Sequence, residues 1–266
     1  MGQRLLTLII GLIGLPALLW GQAPKAWGMD SWLQQRLDVW PNWQLPAPLP
    51  RPRAQQDLVY PSWFEGSWSV ESTDLDDHTT LRHPARFGAT SNSRGAVVGD
   101  RSFNARAIGK AVLGAQLLGV EQAPDQVNRQ LARLSQDRQL ETTVIGRRES
   151  PLDQPSFLSD ELVLQILHGP GAPRISRIET LSRYQRCDPL GNATPEPAID
   201  PSASSTTICA EQWQARYGPP GDTLSAQPLH VNHYALRLTK QQDQIASIDL
   251  PADRATETRD GAGDGH

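Results

Sequence analysis

The 266-residue chain predicts a mainly β protein, an antiparallel up-and-down barrel of about eight strands with one or two short helices. Three observations predict it. Apolar residues recur at every second position in a series of segments, turn residues separate those segments, and no strand-helix-strand rhythm runs through them. With 38 % hydrophobic residues the chain can bury one core, and a single domain of about 200 residues is the natural size once its ends are trimmed. We place that domain at residues 58–249.

The first element is an address. Residues 1–28 carry Arg4, an apolar run from Leu5 to Trp20, and then Gln-Ala-Pro-Lys-Ala-Trp-Gly, with the small residues Ala26 and Gly28 before a cut. That is the three-part layout of a secretory signal peptide. The run holds Pro16 and falls short of the roughly 20 residues a membrane span needs, so no transmembrane segment is expected after cleavage. No Cys follows the run, as a lipoprotein anchor would require. Loss of Arg4 and Lys25 takes the formal charge from -4 to -6. Nothing in that balance recommends nucleic acid or an anionic membrane as a partner.

Residues 29–57 form a tryptophan- and proline-rich lead and linker. Trp32, Leu33, Arg36, Leu37 and Trp40 share one face of a short amphipathic helix that Pro41 stops, and Pro46, Pro48, Pro50 and Pro52 then hold the chain extended. Two readings of Trp32, Trp40 and Trp43 stand side by side. Either they pack on the outside or one end of the barrel, or they form a docking segment for a partner or a membrane interface.

The first long strand starts at Gly66. From Ser67 the residues alternate, with Trp68, Val70 and Ser72 on one face, and Gly66 permits close approach by another group. A Gly-x-Trp opening the first strand resembles the lipocalin-like barrels, whose first strand packs that Trp across the closed end. The resemblance implies an arginine of the final strand stacked on Trp68, and Arg237, between Leu236 and Leu238, is the matching residue.

Residues 74–93 read as a solvated polar loop. Asp74, Asp76, Asp77, His78 and His83 are metal-ligand types but show no ligand spacing, so no metal is assigned. Ala96 to Val98 is a short strand, and Ser102 caps a helix with Phe103, Ala107, Ile108, Ala111 and Val112 on one face, although Ser102 to Ala107 also alternates like a strand. Gly109 costs that helix about 1 kcal/mol against Ala. The spacing of Gly95, Gly99, Gly109 and Gly114 matches no nucleotide fingerprint.

Four stretches together resemble a family of exported cyanobacterial and plastid proteins of unknown function. They are Pro-Ser-Trp-Phe-x-Gly-x-Trp at 61–68, Val-Val-Gly-Asp-Arg-x-Phe-Asn at 97–104, Ile-Gly-Lys-Ala-Val-Leu-Gly at 108–114 and Val-Ile-Gly-Arg-Arg-Glu at 144–149. The likeness spans about 58–240 and implies a thylakoid-lumen or periplasmic home. It carries over no catalytic residue.

Antiparallel strands are then expected near 116–122, 128–134, 138–148, 160–168, 174–186 and 229–240, with turn residues between them. A helix capped by Ser159 or Asp160 competes for 158–167, and the Gly169–Pro173 turn favours a hairpin. Residues 210–217, with Trp213, form a short strand or a helical turn. Cys187 and Cys209 bracket an insert without apolar rhythm, and in an exported protein they most simply form a disulfide closing it. Residues 250–266 are expected to be disordered.

No catalytic residue is assigned, because the chain has no Gly-x-Ser-x-Gly elbow, metal spacing or phosphate loop. His230 and His233 lie three apart on a strand and so on opposite faces. Arg147 and Arg148 also alternate, and the inward one meets either an anionic ligand or a buried carboxylate. The expectation is a non-catalytic exported accessory protein that binds a hydrophobic small molecule such as a pigment or lipid. The alternatives are an interaction factor for photosynthetic membrane complexes and, less favoured, an enzyme on a lipid-like substrate. No cofactor is named by the sequence.

Overall fold

The structure is a computed structural model that describes residues 31–47, 49–89, 95–188, 207–221 and 226–241. The signal segment, the middle of the Cys187–Cys209 insert and the tail lie outside the described residues. Among the described residues eleven strands form one antiparallel sheet: β1 (Val59–Tyr60), β2 (Gly66–Asp74), β3 (Thr80–Ala89), β4 (Val97–Gly99), β5 (Leu117–Gln122), β6 (Arg129–Leu134), β7 (Arg138–Glu149), β8 (Ser156–His168), β9 (Arg174–Arg186), β10 (Thr207–Tyr217) and β11 (His230–Lys240). Their order is β1-β4-β3-β2-β11-β10-β9-β8-β7-β6-β5. The C-terminal strand therefore joins the first hairpin to a long meander, and the sheet curls into a half-barrel.

The strand count exceeds the expected eight for a local reason. β3 lies in the stretch read as a polar loop, because its inward positions alternate Leu81 and Phe87 with the polar His83 and the small Ala85. Pro84 is tolerated there since β4 reaches only Phe87 to Ala89, leaving that side of Pro84 without a ladder partner. β1 and β4 are too short to show a period. Residues 158–167 are strand rather than helix, as β8 pairs with both β7 and β9 along its length. Residues 210–217 belong to β10.

Among the described residues two α-helices accompany the sheet, α1 (Ser31–Asp38) and α2 (Arg101–Leu113). The cap of α2 is Asp100, whose carboxylate accepts from the Phe103 N–H, and not Ser102. Gly109 lets the helix settle on β5, for a Cβ there would lie 2.8 Å from Leu117 Cδ2. The Ala that a helix prefers would require the Leu117 side chain to shift.

The period-two register sorts the side chains into an inner and an outer layer. Trp68, Val70, Phe87, Phe157, Tyr184, Ala210, Leu236 and Leu238 fill the inner face together with Tyr60 and Phe64. Tyr60 of the edge strand β1 meets Phe157 and Tyr184 across the curl, at ring-centroid separations of 5.7 and 6.3 Å. At the far end Leu117, Val120, Leu134, Leu140 and Leu167 pack under α2. The outer face of β8 to β10 would be exposed but for the lead.

The proline-rich lead packs on the sheet as a strap. Leu33, Trp43 and Leu45 bury against Leu162, Leu181, Trp213 and Tyr217. Further along, the Leu45 N–H donates to Ala226 O and the Arg147 N–H to Pro50 O. Gly146 leaves the space in which Leu49 sits, since a Cβ there would approach Leu49 Cβ to 2.8 Å.

The disulfide joins Cys187 and Cys209 across a separation of 22 residues. Closing a loop of that size contributes about 3 kcal/mol through the unfolded chain. The Cys187→Ser, Cys209→Ser double variant is expected to lose that amount in urea unfolding, with its strand circular dichroism retained. Such a bridge belongs to an oxidising, non-cytosolic compartment. Among the described residues no helix is long and apolar enough to cross a membrane.

Candidate functional site

The 97–104 motif builds one wall of a cleft. Val97 and Val98 pair with β3 and β1, Asp100 caps α2, and Phe103 lies under the Arg86 guanidinium at 3.9 Å. Asn104 accepts from the Arg86 N–H through Oδ1 and donates to Arg86 O through Nδ2, so its amide stands in for a ladder partner beside β3. Phe103 and Asn104 thereby tie α2 to β3. Between this wall and residues 55–59 of the strap lies a cleft of about 830 Å³.

The cleft has an apolar floor and polar edges that are already engaged. Val59, Phe87, Ala89, Val98 and Val127 supply the floor. Around them Gln122 Nε2 donates to Gln126 O, Val127 O and Arg129 O, and Gln55 Nε2 donates to Asp125 O. Asp57 accepts from Arg101. A guest here meets the carbon surface of the five floor residues and, beside it, the polar Arg86, Asp100 and Ser102.

Behind the cleft runs a largely buried ion-pair ladder, in which Arg147 is buried and Asp57, Arg101 and Glu161 are partly so. Arg101 Nε donates to Asp57 Oδ1 at 2.7 Å and Nη2 reaches Glu161 Oε1 at 3.3 Å. Arg147 Nε donates to the same Glu161 oxygen at 2.7 Å, while Nη1 reaches Gln56 O and Nη2 reaches Asn128 Oδ1. Burial pushes the Glu161 carboxyl up, but the charges of Arg147 and Arg101 outweigh it and hold the carboxyl below its ordinary range. Arg101 feels the converse: burial acts to lower its pKa, and Glu161 and Asp57 raise it above the usual value. Of the two readings for an inward arginine, Arg147 thus takes the buried carboxylate. Burial also raises the adjacent Tyr60 phenol, so it stays protonated.

A second charged cluster lies on the outer face under the strap. Arg36 of α1 grips Glu179 of β9 through Nε and Nη2 at 2.7 and 2.6 Å, and the Tyr217 hydroxyl donates to the same carboxylate at 2.8 Å. Asp160, one strand over, is fully buried, and among the described residues neither of its oxygens has a hydrogen-bond partner. Burial first, and then the charge of Glu179, push its pKa well above the carboxylate range. Asp160 therefore keeps its proton while Glu179 holds the charge that Arg36 meets.

The residues singled out from sequence divide between these layers. Trp43 is fully buried on the outer face and donates from Nε1 to Arg36 O. Trp32 carries the Arg148 guanidinium at 4.8 Å, and Trp40 is half-buried edge-on to Trp43. Gly66, at φ +121°, occupies a conformation only glycine takes easily. Trp68 is buried and donates from Nε1 to Phe64 O. Its cation is not Arg237, which is a correction. Arg237 pairs with Glu71 and alternates away from Trp68, whereas Lys240 stands opposite Trp68 with Nζ 5.7 Å from the ring. A slip of three residues on a strand reverses the face.

The other polar candidates serve the fold. Asp74 and Asp77 accept from backbone N–H groups in the β2–β3 turn, where His78 takes a positive φ of 59°. His83 points inward, and burial lowers its pKa. His233 stacks on Trp213 at 5.1 Å, with its pKa lowered chiefly by burial. Asp57, Arg101, Glu161, Asp160 and Glu179 were not found by sequence reasoning. For Arg101 the signal was present in the specificity of the 97–104 motif, whereas its carboxylate partners lie 44 and 60 residues away in the chain.

Residues 73–242 match the model of a protein family described as a domain of unknown function, DUF6816. No curated protein and no solved structure matches the chain. The strap, β1 and most of β2 lie outside the matched stretch.

Proposed function

From the premise that the chain belongs to the DUF6816 family, which brings no activity with it, we propose that it is a non-catalytic exported accessory protein binding a largely apolar small molecule, of the pigment or lipid type. The observation that carries this reading is the cleft between the strap, β3, β4 and α2. Its volume of about 830 Å³ lies in the range of small-molecule sites, roughly 300–1,000 Å³. The barrel interior beside it is occupied by Trp68, Phe64, Phe157 and Tyr184, so the ligand site moves from the lipocalin-like lumen to the cleft. The proposed compartment is the thylakoid lumen or periplasm, in keeping with the disulfide.

A second reading is supported by the strap. Val39, 49 % exposed, lies beside half-buried Trp40, which offers an apolar contact for a protein partner such as a photosynthetic membrane complex. The two readings separate experimentally. Protein purified from its own host is expected to retain an apolar compound identifiable by mass spectrometry, and a fluorescent fatty-acid probe is expected to compete with it. Gly88 lines the cleft and a Cβ there meets nothing within 4 Å. Gly88→Trp is therefore expected to weaken probe binding about tenfold or more by filling that space, with circular dichroism unchanged. A ligand-free native protein whose probe binding ignores Gly88→Trp would sink the cleft reading in favour of the interaction one.

A further inference from the structure

A separate small cavity of about 80 Å³ lies at the inner rim of the half-barrel, away from the cleft. The register explains its lining. Leu140, Leu167 and Arg174 form one cross-strand row over β7, β8 and β9, and Gln165 and Ser176 pair in the next row. Arg216 of β10, opposite Ile178, completes the group on the same face. All of these side chains line the cavity.

The polar members are two guanidiniums, a hydroxyl and an amide, and no carboxylate lines the cavity among the described residues. Gln165 is only 4 % exposed, and among the described residues its Nε2 has no hydrogen-bond partner. A buried donor left unmet is unfavourable and asks for an acceptor. Two arginines beside it narrow the choice of acceptor, since guanidinium groups match the paired oxygens of carboxylates, sulfates and phosphates. The volume also fits. It is two to three times the roughly 30 Å³ that one water occupies in the liquid, the scale of a single oxyanionic group. These donors converge in a protein whose formal charge is -4, so they form a local positive site against the general balance.

We propose that Arg174, Arg216, Gln165 and Ser176 bind an oxyanionic group at the inner rim. Leu140 and Leu167 flank it. The group is therefore accepted either as a free ion or at the head of an apolar chain. The proposal does not rest on the cleft, and neither result decides the other.

Isothermal titration of the exported protein at constant chloride ionic strength, with inorganic phosphate in one arm and octyl phosphate in the other, tests it. Saturable binding is expected, weakened about tenfold in Arg174→Gln and in Gln165→Leu, with melting curves showing both variants folded. Phosphate is also expected to shift the Gln165 side-chain amide resonance. Tighter binding of octyl phosphate assigns an apolar carrier, and equal binding assigns the free ion. Absence of saturable binding in both arms, or unchanged affinity in both folded variants, overturns the site.

Discussion

Arg36→Met is expected to destabilise the protein by about 3–5 kcal/mol, measured as a fall in urea midpoint, and to loosen the strap from the sheet. The guanidinium is the counter-charge for Glu179, which is fully buried. Without it, the carboxylate is left in an apolar layer beside Asp160, and breaking such a buried pair costs that much because the remaining charge is uncompensated. Trp43, which donates to Arg36 O and lies 4.8 Å from its guanidinium, loses its anchor in the same step. Tryptophan emission is the direct readout of the strap, since Trp32, Trp40 and Trp43 all lie on it.

The same cluster sets a pH dependence whose sign follows from Asp160. Its folded pKa is raised above the ordinary value near 3.9. Below that value the carboxyl is protonated in both folded and unfolded chains, and its contribution to stability is present in full. As the pH climbs toward the raised folded value, the unfolded chain releases a proton that the folded protein keeps, so stability falls. Glu179, also raised by burial, adds to the same slope. Asp160→Asn is expected to flatten the decline and to stabilise the protein near neutral pH. Unfolding free energies across roughly pH 4 to 8 check this, and an unchanged slope would contradict the assignment of the proton to Asp160.

Arg147→Met is the second large effect, again about 3–5 kcal/mol. The side chain is 2 % exposed and bonds Glu161, Asn128 and the Gln56 carbonyl. Its loss releases the inner end of the strap and leaves Glu161 to Arg101 alone, at the longer 3.3 Å contact. The pH signature is opposite to that of Asp160. Glu161 is held below its ordinary range, so its contribution is present above that range and disappears as pH falls through the lowered value. In the variant, that acid-side loss should shrink. Arg147→Lys is expected to recover only part of the stability, because an ammonium cannot reproduce the guanidinium fork.

Much of the meander was legible in the chain itself. β5, β6, β7, β9 and β11 fall within one or two residues of the alternating segments, because period-two burial writes itself into the order of apolar residues. The disulfide pairing was legible for a simpler reason, there being only two cysteines. β3 was hidden by polar and small inward residues, and Arg237 was misassigned because alternation fixes a strand's faces but not its register against a neighbour.

The sequence by itself determined a β-rich domain of antiparallel strands, the cysteine pair, the opposite faces of Arg147 and Arg148, and the amphipathic stripe of α1. These are local properties, carried by residues a few positions apart. Only the tertiary structure decided the half-barrel of eleven strands, the seating of the strap on the outer face and the meeting of Asp57, Arg101, Glu161 and Arg147. Ion pairs between residues up to 143 positions apart leave no periodic trace, because a charge on a strand reads as solvent-facing until another segment covers it. The cleft follows the same logic, since its walls come from the strap, the sheet edge and α2, and it exists only once they pack together.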